Sequence, residues 1–128
     1  MDFTNYLANR LIKATVGNLS YAAPGKVFLA LYTTDPTKSG SSSGEVNQAS
    51  YSRKEVKFKD PVEGVTTNQD QIDFAVATSD WGNIGWVAVL DAASSGFMLY
   101  YTALENPKNI LSGDQLRLKV NEIKLQLT

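Results

Sequence analysis

Residues 84–104, IGWVAVLDAASSGFMLYYTAL, decide the fold class. Residues 84–90 (IGWVAVL) and 97–104 (FMLYYTAL) are apolar at nearly every position, and AASSG at 92–96 between them is short, small and fit for a five-residue hairpin turn. Apolar runs of this length, rich in Val, Phe, Tyr and Trp, are too short for an ordinary helix and match strands covered on both faces. The stretch therefore reads as an antiparallel hairpin inside a β-protein, with Trp86 in its core. Tyr100 and Tyr101 are adjacent on one strand and must project to opposite faces.

Upstream of the hairpin, residues 71–77 alternate, with Ile72, Phe74 and Val76 turned inward, and residues 64–67 form a short strand. Residues 51–58 read as an outer strand with Val56 and Phe58 on its apolar side. Residues 26–34 (KVFLALYTT) are apolar on both faces, as in a central strand, and residues 37–44 (TKSGSSSG) have the composition of a flexible loop. Downstream, residues 107–113 read as a connection, and two alternating strands follow, with Leu116, Leu118 and Val120 in one and Ile123, Leu125 and Leu127 in the other. About eight short strands at this spacing predict an all-β chain, an antiparallel β-sandwich of jelly-roll-like type forming one domain over residues 1–128. No internal repeat is visible.

One helix is expected, over residues 2–16, where Phe3, Leu7, Leu11 and Ala14 recur at spacings of three and four with Ala8 and Ile12 beside them. Asp2 stands where a cap is wanted, and Gly17 where a left-handed residue ends a helix. Such a helix either lies across an open face of its own sheet or docks on a neighbouring subunit.

The composition removes most chemistry. With no His and no Cys among 128 residues, neither a Ser-His-Asp nor a Cys-His relay can form, nor a zinc site of the usual ligands. A glycosidase needs only two carboxylates, but Asp35, Asp80, Asp91 and Asp114 stand apart at strand ends, where Asp is an ordinary turn residue. Asn68, Asp70 and Asp73 lack the spacing of a calcium loop, and the glycines of residues 40–44 precede no helix or Lys-Ser/Thr pair that would make a phosphate cradle. No catalytic residue, metal or cofactor is therefore expected.

Partners are narrowed in the same way. Twelve basic and thirteen acidic side chains give a net charge of -1, which removes the main attraction to nucleic acid. Arg53, Lys54, Lys57 and Lys59 are interrupted by Glu55 and Asp60 and read as a solvated strand face. No run approaches the length of a membrane span, and the first ten residues lack a signal peptide's basic start and apolar run, so the chain is expected to be made and kept in the cytoplasm until it is captured. Trp81, Tyr100 and Tyr101 are the candidate contacts to a partner protein or a glycan, although a Trp81 that caps the end of the barrel is the first reading of that loop residue.

The run from Leu31 to Thr37 (LYTTDPT), a Gly/Ser loop, Glu45-Val46 and Tyr51-Ser52-Arg53 then form a recognisable series. They are followed by residues 74–82 (FAVATSDWG), Asp91-Ala92-Ala93, Gly96, Leu99 and Gly113-Asp114. In this order they resemble a family of small structural proteins of tailed-bacteriophage particles, commonly labelled tail fibre proteins. The helix with Tyr6-Leu7 and Leu11 fits as well, while residues 47–50 (NQAS) depart from a more glycine-rich pattern.

The resemblance implies a non-enzymatic virion component, assembled in the host cytoplasm through contacts with other virion proteins. Edge strands, the helix or the Ser/Gly loop would form a homo-oligomer, a trimer or ring. A tail-appendage position is the first reading. Capsid decoration on the head surface and a host-glycan or receptor-binding module are the alternatives.

Overall fold

The computed structural model describes residues 1–127. Its elements run β1 (Asp2–Phe3), α1 (Asn5–Val16), β2 (Val27–Tyr32), β3 (Lys54–Val56), β4 (Val65–Thr67), β5 (Ile72–Asp73), β6 (Gly82–Leu90), β7 (Met98–Ile110), β8 (Arg117–Leu118) and β9 (Lys124–Gln126). Five strands form one sheet in the order β1-β7-β6-β2-β3, and two ribbons, β4-β9 and β5-β8, stand beside it. Every pairing is antiparallel, so the fold is all-β with one short helix.

The β6–β7 hairpin is the spine of the sheet, in register from Val89↔Tyr100 to Trp86↔Ala103, with a one-residue shift at Leu99 before the Leu90↔Met98 pair. Its turn is closed by Asp91, whose amide donates to Phe97 O (3.1 Å) and whose Oδ1 accepts from Phe97 N (2.8 Å). Gly96 has φ +75°, and a Cβ there would lie 2.5 Å from Asp91 Oδ1 and 2.8 Å from Ala92 Cβ, so only glycine fits.

Period two explains the two clusters that sandwich the sheet. Leu29 and Leu31 of β2 and Val87 and Val89 of β6 face the ribbons and pack with Ile72, Phe74, Leu116, Leu118 and Ile123. Ala30, Tyr32, Ala88, Leu90, Met98 and Tyr101 face the other way. Both faces of β2 are buried, as its composition requires, but β6 occupies the middle of the sheet and β2 lies one strand inside the edge.

The N-terminus docks on β7. Thr4 is buried, and its Oγ1 donates to Met98 O (2.7 Å) and accepts from Leu7 N (3.3 Å), making it the helix cap. The helix thus starts at Asn5 rather than residue 2. Residues 2 and 3 instead find a ladder partner on the open edge of β7 (Asp2↔Tyr101, Phe3↔Tyr100). At the other end Gly17 has φ -106°, and the left-handed residue is Asn18 at φ 57°. A Cβ at Gly17 would approach Lys13 Cα to 3.0 Å, a tight fit.

Other departures have local causes. β7 runs to Ile110, past the expected connection at 107–113, because residues 104–107 bulge opposite Gly85 before pairing resumes at Ile84↔Lys108. Pro107 sits in that bulge, where its missing N–H interrupts no ladder bond. β5 ends at Asp73, so Val76 turns outward and Ala77 is buried in its place. The last two strands shrink to Arg117–Leu118 and Lys124–Gln126 and pair with β5 and β4 respectively, leaving Val120 and Leu127 exposed. Trp86 is half-buried against the second cluster rather than enclosed in the core.

Candidate assembly surface and polar cleft

Gly44 and Val46 carry the chain back alongside β2 through Thr33 N→Gly44 O (2.9 Å) and Val46 N→Leu31 O (3.0 Å). A Cβ at Gly44 would lie 1.9 Å from Thr34 Oγ1, so this close approach requires glycine. The return places Glu45 against Arg53 in a fork, with Nε to Oε2 and Nη2 to Oε1 both at 2.8 Å. Arg53 Nη1 donates to Ala92 O and Ser95 O, each at 2.8 Å, and so ties the β6–β7 turn to the same carboxylate.

Tyr51 completes the group, donating to Glu45 Oε2 (2.7 Å) and accepting from Leu31 N (3.1 Å). The Arg53 and Glu45 side chains are only 5% and 16% exposed. Burial holds the Tyr51 phenol far above its ordinary pKa, the Leu31 N–H pulls it down, and the Glu45 carboxylate pushes it further up. Arg53 is raised chiefly by its bonds to Glu45. Tyr32, also raised by burial, has no hydrogen-bond partner for its hydroxyl among the described residues.

Glu45 and Arg53 lie in a cleft between the Ser/Gly loop and the hairpin turn. Ser42, Ser43, Asn47 and Ser95 line it, with Leu90 and Met98 as apolar wall. The Ser/Gly segment, read as flexible, is here folded into turns by Gly40 N→Thr37 O and Ser41 N→Pro36 O (3.0 Å each) and fastened to the helix start by Asn5 N→Lys38 O (2.8 Å).

The aromatic candidates are not brought together. Trp81 is 3% exposed, packs edge-on to Tyr51 and donates Nε1–H to Ala49 O (3.2 Å), so its ring fills the first cluster. Tyr100 is half-buried on that side, edge-on to Phe3, and Tyr101 is buried in the cluster on the opposite face.

The polar candidates serve turns. Asp35, Asp80 and Asp114 accept from the amides of Thr37, Ser112 and Leu111. Asn68 is buried, donating to Asp70 O and Lys119 O and accepting from Ile123 N. Among the described residues no three acidic side chains are grouped to hold a metal. Glu45 and Tyr51 stood out in the sequence only as members of the family-like motifs, and Arg53, read there as part of a solvated strand face, instead has its side chain buried because its guanidinium is paired with Glu45.

The most exposed apolar surface lies on the N-terminal arm. α1 packs on β1 and β7 through its first half, with Leu7 buried, while Ile12 and Val16 are 60% and 80% exposed and Leu19 beyond them 55%. Tyr6 stacks flat on Phe97 (4.2 Å) beneath the Arg10 guanidinium. Residues 3–34 contain Arg10, Lys13 and Lys26 and no Asp or Glu. No helix among the described residues is long and apolar enough to cross a membrane.

A comparison with curated proteins returned no match. Residues 2–126 match the family model described as podophage GP4 fiber I protein gp80. The match runs from β1 to the end of β9 and takes in the helix, the cleft and both ribbons. The chain belongs to this podophage fibre protein family and is a structural component of the virion.

Proposed function

We propose that the protein is a non-enzymatic part of the tail-fibre apparatus, assembling with other virion proteins and with copies of itself. The family match over residues 2–126 carries the reading. The N-terminal arm supports it: Ile12, Val16 and Leu19 form an apolar surface that the chain's own sheet leaves open, flanked by Arg10 and Lys13. Exposed apolar surface rimmed by polar groups is typical of protein contact sites.

The test is to dissociate purified particles, separate heads from tails, and quantify the chain by mass spectrometry. Recovery with the tails is expected. Recovery with the heads alone would replace the tail-fibre reading by capsid decoration.

A further inference from the structure

We propose that copies of this chain join head to tail, the exposed hairpin tip at residues 60–64 of one copy seating Val62 in the groove of the next that Tyr6, Arg10, Lys13 and Leu19 line. The contact rests on the assembly reading above, with a second copy as the partner. Among the described residues Val16 and Val62 are the two most exposed large apolar side chains. They mark separate patches, since among the elements α1 packs only on β1 and β7, and β4, which follows the tip, only on β9.

The groove has a volume of about 420 Å³, its lining completed by Asn9 and Ser20. Its walls are held by internal contacts: Tyr6 stacks on Phe97, Arg10 lies over the Tyr6 ring at 4.7 Å, and Leu19 N donates to Lys13 O (3.2 Å). Val16, three residues after Lys13 and so beside it on the helix surface, extends the apolar area. Neither Arg10 nor Lys13 is in an ion pair among the described residues.

The tip supplies the complement. Val62 and Val65 exchange both backbone hydrogen bonds (2.9 and 3.0 Å), and Glu63 and Gly64 between them have φ 53° and 77°, the geometry of a two-residue type I′ turn. A turn closed in this way is ordered before it binds, which lowers the cost of binding. Asp60 and Glu63 stand on either side of Val62 in the chain, both exposed and in no ion pair among the described residues. Lys59 is turned to Asn121 Oδ1 (2.6 Å).

An apolar knob between two carboxylates thus matches an apolar groove beside two cations, a complementarity that selects partner and register. Because tip and groove are different surfaces, the contact repeats from copy to copy, into a closed ring or an open filament.

The test is sedimentation analysis of the full chain over a concentration series at low and high salt. Wild type is expected to associate, and more weakly at high salt, because the charges are exposed. Asp60→Lys with Glu63→Lys, and Arg10→Glu with Lys13→Glu, are each expected to weaken association about tenfold or more at a melting temperature near that of wild type. The chain carrying all four substitutions is expected to associate again, because its tip and groove have exchanged signs. Val62→Ser and Leu19→Ser alter exposed side chains and no charge, and serve as second variants with the same expected loss should a charge reversal misfold.

A wild type that stays monomeric at its highest soluble concentration would overturn the contact and leave the groove to a different virion protein. A loss of association from only one of the two pairs, or a folded four-substitution chain that stays monomeric, would overturn it as well. None of these outcomes touches the tail reading, and a chain found only on heads would overturn the tail reading and leave the contact standing.

Discussion

Replacing Arg53 by alanine leaves the Glu45 carboxylate buried without its cation and frees the Ala92–Ser95 turn. Breaking a buried pair from one side costs about 3–5 kcal/mol, so Arg53→Ala should lower the melting temperature by roughly 10–20 °C for a chain of this size, measurable by calorimetry. Tyr51→Phe removes the acceptor of Leu31 N and should cost about 1–3 kcal/mol.

The same residue sets an alkaline limit. Tyr51 and Tyr32 titrate higher in the folded chain than in the unfolded one, so their contribution is complete below pH of about 10 and lost progressively above it, where the folded state holds more protons. Denaturant titrations of wild type should show stability falling above that pH, with a shallower fall in Tyr51→Phe. An equal slope in both would contradict this assignment. None of this network was legible from periodicity, because Glu45, Tyr51 and Arg53 meet through a loop return and a hairpin turn that local pattern does not encode.

At the scale of elements, α1 has two halves with different work. Leu7 is enclosed by its own sheet, so Leu7→Ala should cost about 2–5 kcal/mol. Val16→Ser changes an exposed position and should stay within about 0.5 kcal/mol. Chemical denaturation of the two variants checks the contrast, and equal losses would contradict the division.

The apolar spacing of residues 3–14 announced a helix but not which of its residues the sheet would cover. Nor did it show that residues 2 and 3 would leave it for the edge of β7, since that edge is a tertiary feature. The long apolar strands were legible, because burial on both faces leaves a continuous run: β2 and β6 fall where residues 26–34 and 84–90 placed them. β7 was read short because its four-residue bulge breaks the alternation, and β8 and β9 because ribbons of two or three residues carry too little pattern to fix a partner.

The whole molecule joins an all-β domain, a polar cleft and an N-terminal helix whose apolar residues Ile12 and Val16 its own fold leaves open. If that arm is the assembly surface, Ile12→Asp combined with Val16→Asp should leave the melting temperature near that of wild type and abolish self-association in sedimentation analysis. Unchanged association would move the contact elsewhere. Fibre membership follows from the family match over residues 2–126, while the position on the particle follows from the tail-fibre reading. Imaging intact virions at a resolution that traces side chains tests that reading most directly. The account predicts copies of this chain in the tail appendages with Ile12, Val16 and Leu19 buried at a contact, and density for the chain only on the capsid surface would contradict it.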